Sequence, residues 1–127
     1  MTGDRWEVRL YETLAGRVPV LEFLIGLPAQ HRAKVRQAIG RLEVFGPRLG
    51  FPDTSAVKGA PFRELRTRFA RQQYRILYLQ DSEAFVLFAG FHKTHDRDLD
   101  HVVSEATKYL ADYRARKDRR DRCRRDH

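Results

Sequence analysis

Between Phe62 and Lys93 lie three short apolar runs with strand character, and arginines stand among their apolar residues. They read Phe62-Arg63-Glu64-Leu65-Arg66, Tyr74-Arg75-Ile76-Leu77-Tyr78 and Phe85-Val86-Leu87-Phe88-Ala89-Gly90-Phe91-His92-Lys93. A guanidinium keeps its charge in a protein, so a strand that carries one must pair it or leave it in water. Repeating that placement on neighbouring strands predicts a sheet with one wet, basic face. A face of that kind suits phosphate groups.

The chain has 127 residues, enough for one domain with a two-layer core and no staples. Its 42% hydrophobic and 11% aromatic content argues for a folded chain. The formal net charge of +8 favours polyanion partners such as nucleic acid, the ribosome surface or an acidic protein. One cysteine, Cys123, allows no internal disulfide and fits a reducing compartment. Met1-Thr2-Gly3-Asp4-Arg5 lacks the apolar core of a signal peptide, and no run is long enough to span a bilayer. The expectation is a cytoplasmic protein with no membrane partner.

Trp6, Val8 and Leu10 alternate with Glu7, Arg9 and Tyr11, which predicts a half-buried strand. A short helix follows from Val18, with Pro19 in its first turn and Gly26-Leu27-Pro28 at its end. From Ala29 to Phe45, Val35, Ala38, Ile39, Leu42 and Phe45 recur at helical steps. The opposite face carries His31, Arg32, Lys34, Arg36 and Arg41. Residues 46–61 are rich in Gly and Pro and predict a loop. Arg71-Gln72-Gln73 and Gln80-Asp81-Ser82-Glu83 offer tight links between the three strands, which predicts an antiparallel meander. Leu99, Val102, Val103, Ala106, Leu110 and Tyr113 mark a last helix. The basic tail, residues 114–127, has no apolar face and predicts a frayed helix or disorder. The order β-α-α-β-β-β-α defines an α+β fold with helices packed on a small, mostly antiparallel sheet.

That order, with Glu64-Leu65-Arg66, Tyr74-Arg75-Ile76-Leu77-Tyr78 and the strand end Gly90-Phe91-His92-Lys93, resembles the RelE/ParE superfamily of bacterial toxins, in particular its HigB-like, phage-derived host-killing branch. The resemblance makes residues 1–113 a toxin domain. It implies helices on one side of a curved sheet, whose concave face and final helix form the working groove. HigB-like members cut mRNA on the ribosome and are neutralised by a cognate antitoxin, here expected to be of helix-turn-helix type. ParE-like members share the fold and poison DNA gyrase without acting as enzymes.

Metal-free RNA cleavage needs a base for the 2′-hydroxyl proton, cations for the charged transition state and an acid for the leaving 5′-oxygen. Matching the toxin motifs assigns Arg66 and Arg75 to phosphate binding and transition-state stabilisation, since arginine can fork two phosphate oxygens. The alternative is that one of them pairs with Glu64 and braces the sheet. His92, Lys93 and His95, at and just beyond a strand end, are the candidates for proton transfer, because histidine titrates near neutrality. Arg63, Glu64, Arg68, Arg32 and Lys34 are assigned to RNA binding, with Glu64 on the face of Arg66. Both Arg66→Ala and Arg75→Ala are expected to abolish toxicity with little loss of stability.

No cysteine pair, H-E-x-x-H or phosphate-cradling glycine loop is present, so no metal or cofactor is assigned; His92, His95 and Asp96 lack the spacing of a known metal site. Two other functions fit the same residues. One is a gyrase poison, and the other is an inactive toxin that represses its operon together with its antitoxin.

Overall fold

A computed structural model describes residues 5–125. Met1–Asp4, part of the stretch without a signal-peptide core, and the last two residues of the basic tail lie outside the described residues. The elements are β1 (Glu7–Leu10), α1 (Pro19–Ile25), α2 (Ala29–Phe45), a 3₁₀ turn (Gly46–Arg48), β2 (Thr54–Ala56), β3 (Arg63–Phe69), β4 (Gln72–Asp81), β5 (Ala84–His92) and α3 (Asp96–Arg125). The strands form one sheet in the order β1-β5-β4-β3-β2. β1 runs parallel to β5 and every other pairing is antiparallel. The fold is α+β, as the pattern of residues predicts.

The expected loop at 46–61 holds one extra strand, β2. Three residues are too few to show alternation, and β2 exists because β3 pairs with it. Thr54, opposite Leu65, is fully buried; its hydroxyl donates to the Leu49 carbonyl at 2.8 Å and accepts from Arg63 Nη2 at 2.8 Å. The β3–β4 link also differs from expectation. Its two turn residues are Ala70 and Arg71, both with positive φ (50° and 65°), the twist a two-residue hairpin requires.

Alternation along the strands builds two cores. On one face Leu65, Tyr74, Ile76, Tyr78, Phe85 and Leu87 pack against Val20 and Leu24 of α1 and Val35, Ala38 and Leu42 of α2. Gly90 lets α1 approach β5, since a Cβ there would lie 2.3 Å from the Phe23 ring. On the other face Leu77, Val86, Phe88 and Phe91 pack against Ala106 and Leu110 of α3. A bulge between Leu77 and Tyr78 leaves Phe88 without a register partner, so Phe88 and Ala89 both join this second core. The helices therefore divide between the two faces, unlike the one-sided packing that the toxin resemblance implies. The single wet face is corrected too: its middle is apolar core beneath α3, with strand arginines toward β3 and the Glu7–Arg9 pair at the β1 edge.

α3 continues to Arg125 instead of ending near Tyr113. Polar anchors, absent from any apolar periodicity, secure the extension. Lys117 Nζ meets Asp81 Oδ1 at 2.6 Å, the Tyr113 hydroxyl donates to Asp81 Oδ2 at 2.5 Å, and Arg116 Nη2 donates to the Glu12 carbonyl at 2.5 Å. Among the described residues no helix is long and apolar enough to cross a membrane.

Candidate functional site

The β3–β4–β5 ladder sets Arg66 opposite Arg75, and Arg75 opposite Phe91. One step along, Arg68 faces Gln73. The Lys93 amide donates to the Gln73 carbonyl at 2.8 Å, so Lys93 continues the register beside Gln73. Because side chains alternate, Glu64, Arg66, Arg68, Gln73 and Arg75 share one face, and Lys93 falls at a position of that same face. The backbone thus gathers four cationic residues at one end of the sheet.

Arg66 and Arg75 carry the same expected role in the sequence, and the structure separates them. Arg75 is 2% exposed. Its Nη2 donates to Gln73 Oε1 at 2.8 Å, its Nη1 to the Tyr74 carbonyl at 3.3 Å, and its Nε lies 3.4 Å from Glu64 Oε1 without a hydrogen bond. Burial pulls its pKa below the ordinary guanidinium value, Glu64 opposes that shift, and the neighbouring charge of Arg66 adds to it. These contacts make Arg75 a brace of the sheet. Glu64, also buried, accepts from the Ser55 hydroxyl at 3.3 Å and pairs with Arg75 instead of Arg66.

Arg66 is only half-buried, and its guanidinium lies 5.4 Å from the centre of the Phe51 ring. Phe51 is 78% exposed, a large aromatic face left in water beside a cation. The sequence signal for it was faint: one aromatic between Gly50 and Pro52, outside every apolar period.

His92, Lys93 and His95 do not form one cluster. His92 pairs with Tyr74 on the α1/α2 face, with ring centres 5.1 Å apart, and the Tyr74 hydroxyl shares a 2.7 Å hydrogen bond with His31 Nδ1. Lys93, one residue on, takes a position on the opposite face. Neighbours in a strand point apart, which proximity in sequence conceals. His95 is exposed at the start of α3, its Nδ1 3.1 Å from Thr94 Oγ1. Asp98 fixes this segment by accepting from the Thr94 amide (2.9 Å), the His95 amide (2.7 Å) and the Thr94 hydroxyl (2.8 Å). Those hydrogen bonds, the Thr94 amide first, hold its carboxyl down at about 2.

The other expected RNA-binding residues are dispersed. Arg63 takes the opposite face of β3 and donates to Thr54. Arg32 caps the end of α1, donating through Nε to the Leu24 carbonyl and through Nη2 to the Leu27 carbonyl, both at 2.9 Å. Those bonds tie the guanidinium expected to bind RNA to backbone carbonyls at the end of α1. Lys34 Nζ sits 5.5 Å from the centre of the Phe69 ring. Arg68 is exposed on the Arg66 face. Among the described residues no three His, Cys, Asp or Glu side chains gather as a metal site. What remains together is Arg66, Arg68 and the Lys93 position, beside Phe51 and the first turn of α3. Such an arrangement can hold a phosphate and stack a base.

The family profile described as Phage derived protein Gp49-like (DUF891) matches residues 22–114, from α1 to the middle of α3. That span includes Phe51, β2 to β5 and the start of α3. No curated protein and no solved structure gives a significant match. With this profile covering most of the chain, the protein belongs to the Gp49-like family of phage-derived proteins, a family associated with the toxins of toxin–antitoxin systems.

Proposed function

We propose that this chain is a toxin of the HigB type, which cuts mRNA on the ribosome without a metal and is silenced by a cognate antitoxin of helix-turn-helix type. The observation that carries this reading is the register of Arg66, Arg68 and Lys93 on one sheet face beside the exposed ring of Phe51. In this reading Arg66, Arg68 and Lys93 hold the scissile phosphate and stabilise its added charge. Phe51 stacks the adjoining base, as aromatic platforms do for unpaired strands.

His95, exposed at the start of α3, is the proton-transfer group. A base takes the 2′-hydroxyl proton, the 2′-oxygen attacks phosphorus, and the bond to the 5′-oxygen breaks. The departing oxygen receives a proton, leaving a 2′,3′-cyclic phosphate and a 5′-hydroxyl. Arg75 and Glu64 act indirectly by holding the strand that carries Arg66. His92, on the other face, stands outside this machinery. The antitoxin covers the cationic face, and the cytoplasm, where ribosomes work, is the site of action.

The test is to express the chain alone and map RNA 5′ ends in arrested cells. New 5′-hydroxyl ends on translated messages are expected, and they should disappear with Arg66→Ala. Intact messages together with trapped gyrase breaks would replace this reading with gyrase poisoning.

A further inference from the structure

Residues 114–125 of α3 contain seven arginines and one lysine against Asp118 and Asp121, so most of the formal net charge of +8 resides there. Their sequence predicts a frayed helix or disorder, yet they continue α3 as a helix joined to the rest of the fold through Arg116 and Lys117. The inward side borders a cleft of about 580 Å³ between α3, β1 and the β4–β5 turn. Three ion pairs close on this side at 2.6 Å, Lys117 with Asp81, Arg116 with Asp112 and Arg9 with Glu7, and Arg120 and Arg124 line the cleft together with Glu83 and Asp121. The outward side is different. Arg114, Arg119 and Arg122 are exposed, and none makes a hydrogen bond or close ion pair among the described residues.

We propose that this outward face is a docking arm for the phosphate backbone of structured RNA. Charge complementarity selects a polyanion. The same face carries only the small side chains of Ala115 and Cys123 besides polar ones. A protein partner would need an apolar centre to anchor it, whereas phosphate binding draws on cations and counterion release alone. The Lys117–Asp81 and Tyr113–Asp81 contacts hold the arm in place, so docking does not require ordering a flexible tail. From His95 to Arg119 a helix advances on the order of 35 Å at 1.5 Å per residue, which sets the arm well apart from the Arg66 face. Docking therefore goes beyond cutting and does not depend on it.

The experiment measures binding of the full chain to a fluorescent 20-base-pair RNA duplex with 2′-O-methyl sugars, which cannot be cut. A DNA duplex of equal length is the second ligand, and salt is varied from 50 to 200 mM. The arm variant is Arg114→Ala, Arg119→Ala and Arg122→Ala together, with alanine preserving the helix. The control variant, Arg36→Ala, Arg48→Ala and Lys58→Ala, removes the same charge elsewhere on the exposed surface.

The arm variant is expected to bind at least ~10-fold more weakly at 50 mM salt. The slope of log K against log salt should become shallower by about 2 to 3, as for the loss of three phosphate contacts. The control should change little. Equal losses on RNA and DNA support readout of the backbone alone, and a loss confined to RNA supports recognition of the A-form helix. The proposal is overturned if the arm variant binds as the parent does, or if both variants weaken equally.

Discussion

Arg75 is 2% exposed, while Arg66, its neighbour across the β3–β4 ladder, keeps its guanidinium over the open ring of Phe51. Removing Arg75 would leave Glu64 buried without its cation, and breaking such a pair is costly. Arg75→Met is expected to lower unfolding free energy by roughly 3 kcal/mol in urea titrations. Arg66→Ala should stay within about 1 kcal/mol of the parent, because only an exposed ring contact is lost. It should nevertheless abolish growth arrest. If Arg75→Met unfolds at the parent's urea concentration, the brace assignment fails. The expectation that both arginines can be removed at little cost is therefore kept for Arg66 and revised for Arg75. Strand identity and face were readable at both positions, but burial was not, because it depends on what covers the far strand.

At the scale of the element, α3 is set by polar anchors at its beginning and along its extension. Asp98 holds the first turn, and its folded pKa of about 2 lies below its ordinary value of 3.8. For a carboxyl with a depressed folded pKa, the contribution is complete above the ordinary value and is lost as pH falls through the folded one. The start of α3 should therefore stay anchored down to about pH 4 and loosen as pH approaches 2. Following the Asp98 carboxyl by NMR, with exchange at the His95 amide, checks this; titration near 4 would remove the anchor. At the Asp81 end, the Lys117 ammonium, then the Tyr113 hydroxyl, likewise depress the carboxyl pKa. Neither anchor has a hydrophobic period, so the apolar stripe from Leu99 to Tyr113 predicted the helix but not its length. The β3–β4 turn was hidden for a related reason: Ala70 and Arg71 adopt positive φ without the Gly or Asn that usually signals it.

For the whole molecule, one sheet serves as the wall of two cores, and neither can lose packing alone. Trp6, the single tryptophan, packs edge-on to Phe85 at 5.7 Å between ring centres, in the core facing α1 and α2. Phe88 is fully buried in the other core, beneath α3. Phe88→Ala is expected to cost about 3–5 kcal/mol. Trp6 fluorescence should report that loss at the same urea midpoint as helix circular dichroism, as in a single cooperative unit. A Trp6 transition left at the parent midpoint would show that the two layers unfold separately.

The amino-acid sequence carries the α+β class, most of the elements and the positions of the strand arginines, because periods of 2 and 3.6 residues are local properties of a chain. It also supported the toxin resemblance, since motif order survives without knowledge of packing. Tertiary packing laid α3 over the second sheet face and set β2 at the sheet's edge. It also buried Arg75 as a brace, sent His92 and Lys93 to opposite sides, and turned the basic tail into a fixed helix. Those outcomes depend on register, on a bulge at Leu77/Tyr78 and on ion pairs between distant residues such as Lys117 and Asp81. Each is a contact between segments far apart in the chain, and local patterning does not encode which of them will meet.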